Sequence, residues 1–227
     1  MLEAWSGALV FSRRSAFVPE VELASWGRSL AALIIAAILA TGLRALTTVF
    51  VPILVNRSGY DLKNRLVTDA LQWTGQTLLL IVLLVVIWVL VASLTWVGVR
   101  LAGGRQGFRI HAHLMAVAVS AWDLLGAIFA AMIVLVPYVL ANVIPINLPF
   151  ERLFNLASIA LGVAGFTWIA QGVRTAHNIS ATRAITVAVL TAVVGAVVIL
   201  GLNLLTGGGF AARVGGLLVT YFMPWLG

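Results

Sequence analysis

The side chains able to move protons or hold charge are few in this chain. Among 227 residues there are seven carboxylates, three histidines and no cysteine. The missing cysteines exclude disulfides, thiolate metal sites and cysteine nucleophiles. Two histidines, His111 and His113, stand two apart. That spacing is too short for one helical face, so a metal would need ligands from distant segments. The expected role is helix capping at a membrane interface, and no metal site is expected. His177 lies close to Ser180 and Arg183. Serine catalysis needs a base and an orienting third group, and the only candidate acids on that side are Glu20 and Glu22. Haem would need axial histidines at matched depth inside spans, whereas all three fall at the ends of apolar runs. No cofactor is expected, and a non-enzymatic protein is the leading expectation.

Arginine carries the rest of the charge chemistry. Arg100, Arg105 and Arg109 surround Gly103, Gly104 and Gly107, the densest positive loop in the chain. A glycine-rich loop with arginines suits phosphate. It lacks the Walker spacing and the closing Lys-Ser/Thr, so lipid phosphate is the expected ligand rather than nucleotide. Arg174, His177, Ser180 and Arg183 form a second candidate set for lipid phosphate or a partner. The net charge is +7, but it is spread over several loops, which suits anionic headgroups and not nucleic acid. One acid and one base fall inside apolar runs: Asp123 and Arg44. Charge in hydrocarbon is costly and normally faces a partner or a cavity. Arg44 lies about 22 Å along its run and Asp123 about 14–15 Å along its own, by helical rise. A structural ion pair, a protonated or helix-capping Asp123, and a transport role all remain open.

The elements that must position these groups are membrane spans. The chain is 62% hydrophobic and 9% charged, against roughly 25% charged for a soluble domain. The run from Leu71 to Gly98 has no charged residue or histidine and exceeds the ~20 apolar residues a spanning helix needs. Four further runs give spans at about 29–51, 114–140, 154–171 and 185–205. The expected fold is an all-α bundle of five spans forming one domain over residues 1–227. An interfacial helix through Leu2, Trp5, Leu9 and Val10 is expected before it, and a short apolar segment after it. Asp61 to Asp69 should lie at the interface or extend the second span. Pro137 should bend or stop the third. Trp88 and Trp122 lie deep enough to pack between helices. The alanine-rich first span permits close helix contact.

Five spans place the termini on opposite sides. One side collects Arg13, Arg14, Arg28, Arg100, Arg105, Arg109, Arg174 and Arg183. The other collects Arg57, Lys63, Arg65, Arg152 and Arg213, plus Arg44 if it snorkels. The excess predicts an inside amino end and an outside carboxyl end.

Two stretches carry a family resemblance. One is the Gly-Gly-x-x-x-Phe loop at Gly103, Gly104 and Phe108. The other runs through Trp168, Gly172, Val173, His177, Ile179, Ser180, Arg183 and Ala184. With these the chain resembles the Yip1 family of integral membrane proteins. That resemblance implies a five-span bundle with a cytoplasmic amino end, and bacterial relatives have no settled biochemical activity. The Ala, Val and Arg bias suggests a bacterial member in the cytoplasmic (inner) membrane. Eukaryotic relatives carry a long polar amino-terminal extension, which is not expected here, nor is their trafficking role. The expected function is an accessory or scaffold subunit that packs against other membrane subunits or organises lipid. The alternative is a small oligomeric transporter or channel using Arg44 and Asp123.

Overall fold

Where the described residues include a break between helices, turn and capping residues make it. The computed structural model describes residues 17–54, 62–141 and 150–205. Within them every regular element is an α-helix: α1 Val18–Glu22, α2 Trp26–Leu54, α3 Leu62–Leu101, α4 Phe108–Ala141, α5 Phe150–His177 and α6 Ala181–Leu205. Pro19 sits in the first turn of α1, where a missing N–H costs nothing. Ser25 caps α2 by accepting the Arg28 N–H on its hydroxyl at 3.2 Å. Ser180 caps α6 the same way through the Arg183 N–H at 3.4 Å. In both, a side-chain oxygen satisfies a donor of the first turn.

The end of α3 is closed by two glycines. Gly103 has φ +90, a conformation in which a Cβ is strained. The Gly104 N–H bonds Val99 O at 2.8 Å and the Gly103 N–H bonds Arg100 O at 3.2 Å. This pair of crossed bonds is the Schellman closure. Asn178 plays the left-handed part after α5, with φ 50.

The helices exceed the expected spans at most ends. α3 is continuous from Leu62, so the expected 61–69 segment, as far as it is described, extends the second span. α4 begins at Phe108, six residues before the expected start at Leu114, and continues past Pro137 to Ala141. A proline near a helix end removes one hydrogen bond without ending the helix at that residue. Four helices hold stretches long and apolar enough to cross a membrane: Trp26–Thr47, Gln72–Leu101, Phe108–Met132 and Ala181–Val198. α5 has 28 residues, about 42 Å at the usual rise. It is more polar, carrying Glu151, Arg152, Gln171 and Arg174, and it completes a bundle of five long helices. The expected interfacial helix around Leu2–Val10 and the segment after Leu205 lie outside the described residues.

α4 is the hub. It packs against α2, α3 and α5, and against α1 near its start. All residues from His111 to Ala121 are buried. α2 meets it with Ala32, Leu33, Ala36, Ala37 and Ala40, all buried. These small side chains at helical spacing bring two backbones close. α2 and α4 run parallel, since Trp26 and Phe108, at their starts, have ring centroids 6.0 Å apart. α3 runs against α4, with Trp96 stacked edge-on to Phe108 at 5.5 Å. α5 also opposes α4, and α6 runs with it. The α3–α4 and α5–α6 turns therefore meet at the end where α2 begins.

Candidate functional site

The polar chemistry of this end is buried beneath those turns. The main-chain direction of α4 decides it. Residues two apart on a helix point about 200° from each other, so His111 and His113 face opposite sides of the hub. Both are fully buried. The expectation of interfacial capping histidines is corrected: α1, α2, α3 and α5 wall both faces of α4, and each ring finds partners inside.

His111 faces α3 and α5. Its Nε2 lies 2.8 Å from Thr95 Oγ1 and 3.1 Å from Ala92 O. The Thr95 hydroxyl donates to Val91 O, so its oxygen accepts and His111 Nε2 carries the hydrogen. His111 Nδ1 then accepts from His177 Nε2 at 3.1 Å. The network thus assigns the tautomer of both rings. His177 Nδ1 is left as a buried acceptor with no hydrogen-bond partner among the described residues. It presses against Gly104, where an added Cβ would stand 2.8 Å away. Burial, then the charge of Arg100, hold His177 down to a pKa of about 4. His177 was expected among phosphate-binding groups, yet it sits under the loop that covers it.

His113 faces α1 and α2. Its Nε2 is 2.9 Å from Glu20 Oε2, and its Nδ1 is 3.0 Å from Ser29 Oγ. Arg28 reaches the same Glu20 oxygen at 3.4 Å. Burial alone would raise the Glu20 pKa, but the bonds from His113 and the charge of Arg28 are among the interactions that outweigh it, and the net shift is downward. Ser29, His113 and Glu20 thus stand in the order of a hydroxyl–imidazole–carboxylate relay, a grouping not anticipated from the sequence. The three come from separate elements, and only Glu20 had been considered as an acid. Ser29 is 1% exposed, so a substrate carbonyl cannot approach its oxygen in this packing. What the three bonds do is clasp α1 to α2 and α4.

The arginines divide. Arg100 lies over the Trp96 ring at 5.1 Å and reaches Gly104 O at 3.4 Å. Arg183 crosses from α6 to Ala102 O at 3.5 Å. Arg105 and Arg109 are exposed, and Arg174 is half-buried on α5. The turns thus bring together Arg100, Gly104, His177 and Arg183.

Of the glycine and aromatic positions singled out in the sequence, Gly104 and Gly172 are buried against neighbouring helices. Trp168 is buried. A Cβ on Gly172 would stand 2.7 Å from the Met115 methyl. A family model described as the Yip1 domain matches residues 8–202. The chain belongs to the Yip1 family. No curated protein and no solved structure matches it. In this Yip1 chain the paired glycines close α3 and make room for His177, while Gly172 lets α5 approach α4. Their spacing reflects close packing.

The second polar feature lies deeper. Arg44 Nη2 is 3.7 Å from Asp123 Oδ1. The depth mismatch expected from sequence narrows for two reasons. α4 starts six residues earlier than expected and α2 three, which adds about 9 Å to the depth of Asp123 and about 4.5 Å to that of Arg44. Helical side chains also lean toward the amino end, so the long Arg44 stem reaches back along α2. Asp123 Oδ2 is buried without a hydrogen-bond partner among the described residues. Trp88 is buried, and its indole N–H donates to Ala112 O at 2.6 Å. Trp122 lies on Gly165 yet keeps 40% of its surface exposed. Among the described residues no group of three or more potential metal ligands gathers.

Proposed function

We propose that this Yip1 protein is a non-enzymatic accessory or scaffold subunit of the bacterial cytoplasmic membrane, with its amino end inside and its carboxyl end outside. The observation that carries this reading is the contrast between a closed polar interior and an open apolar exterior. The histidines, Ser29 and Glu20 spend their hydrogen bonds on joining helices. α6 meanwhile is only 17% buried over Ala181–Val198. Val193, Val197 and Leu200 on it are all more than half exposed. Lipid or an apolar partner must cover that surface, because a helix exposing it to water would associate. The arginine-rich end supports the inside assignment through the excess of positive charge there.

Purification in mild detergent from the native membrane should recover other membrane subunits in fixed ratio. A photo-crosslinking residue at Val193 should label one of them. Recovery of partner-free protein, with Val193 labelling lipid alone, would overturn the scaffold role.

A second reading rests on the buried, unpartnered Oδ2 of Asp123. A small oligomeric transporter would use Arg44 and Asp123 to line its path. Flux into liposomes that disappears in Asp123→Asn, while the protein stays folded, would favour it. Flux that is absent or unchanged would remove it.

A further inference from the structure

Where α3 ends and α6 begins, the two helices leave a cleft of about 290 Å³ between them, lined mainly by Gly98, Leu101, Arg183, Thr186, Val187 and Leu190. Gly98 forms its floor. A Cβ there would meet Val187 Cγ1 at 3.2 Å, so the missing side chain is what lets α6 come this near. From Thr182 to Leu190 the cleft follows α6 for about 12 Å by helical rise. Its length is apolar, and its charge is at one end. Arg183 lines the charged end, exposed, with one guanidinium nitrogen toward Ala102 O. Leu101, at the lip, is 86% exposed.

We propose that this cleft binds one acyl chain of an anionic phospholipid, with the lipid phosphate held by Arg183. The site deepens the lipid-organising side of the function proposed above. Three observations select this occupant. The cleft opens outward at the ends of two apolar helices, where acyl chain meets headgroup. Its volume lies at the low end of ligand sites, enough for a chain segment but not for a whole diacyl lipid. A guanidinium at the mouth matches phosphate in charge and in fork geometry.

The test uses the full-length purified protein and phosphatidylglycerol or phosphatidylcholine with identical chains, read by native mass spectrometry as bound lipid per protein. The wild type should retain phosphatidylglycerol in preference. Arg183→Gln keeps a donor for Ala102 O and removes the charge; it should lower retention of phosphatidylglycerol roughly tenfold and leave phosphatidylcholine nearly unchanged. Leu190→Trp, at a half-exposed position, fills the cleft and should reduce both lipids. A thermal unfolding midpoint close to wild type shows that each variant is folded. Folded Arg183→Gln with unchanged lipid preference, or folded Leu190→Trp with unchanged retention, overturns the proposal. So does a crosslinker at Thr186 that labels a protein and no lipid. Partner recovery through Val193 is a separate readout, so failure here and failure of the scaffold reading can be told apart.

Discussion

α4 and α6 have nearly the same mean hydropathy, yet α4 is 61% buried over its apolar stretch and α6 is 17% buried. Both are apolar enough to enter a bilayer. The difference lies in which other residues they carry. α4 holds His111, His113, Ser120 and Asp123 among alanines and valines. Each of those polar groups is expensive against lipid and inexpensive against a matched partner. α6 offers mostly Val, Ala, Leu and Ile, with threonine hydroxyls such as Thr186 and Thr191 bonded back to their own helix. Lipid suits such a helix as well as protein does. Hydropathy puts a segment in the membrane, and polar side chains put it at the centre of the bundle.

The contrast is open to attack on each side, and the largest effect should come from Asp123. Asp123→Leu leaves Arg44 without its counter-charge and should destabilise by about 3 kcal/mol. The double variant Arg44→Met with Asp123→Leu should recover most of that loss. Reversible unfolding in mixed micelles measures both. If the single variant is as stable as wild type, ion pairing does not place α4.

His113→Leu should cost about 2 kcal/mol, because Glu20 then stays buried without its imidazole. Protease access to the α1–α2 junction should rise with it. An unchanged cleavage rate would mean that the clasp does not hold α1.

A pH series gives a smaller effect. The folded His177 titrates near 4, below the ordinary value of about 6.5. As pH falls through that interval, the unfolded chain takes up a proton before the folded one does, so stability falls between about pH 6.5 and 4. It should level off below that interval for this group and be insensitive to it above. The unfolding midpoint at pH 5 should therefore lie below that at pH 7.5, and His177→Gln should flatten that part of the profile. An equal slope in both proteins would show that His177 is not the titrating group.

The smallest effect belongs to α6. Val193→Ala should change stability by less than about 0.5 kcal/mol in a purified monomer. A large loss there would mean that α6 is covered in the isolated protein and that the contrast with α4 is wrong.

How much of this was readable beforehand differs by feature. The five long helices, the glycine closure of α3 and the cap at Ser180 are local properties, set by apolar run length and by turn chemistry within a few residues. The roles of the histidines were not readable. His111 and His113 stand at the edge of an apolar run, and an edge position ordinarily means an interface. Their burial depends on α1 folding over Ser29 and on α5 returning to place His177 at 3.1 Å from His111. No spacing along the chain encodes a contact 66 or 93 residues away. Arg44 and Asp123 were recognisable as costly residues, but the starts of α2 and α4 had to be known before their depths could be compared.

By itself, the order of residues determined that this chain enters a membrane as a bundle of helices. That outcome follows from the cost of exposing backbone and charge to hydrocarbon, which is paid residue by residue. Only tertiary structure decided which helix became the hub, which imidazole met which partner, and where a cleft opened between α3 and α6. Each of those depends on two distant segments arriving at one place.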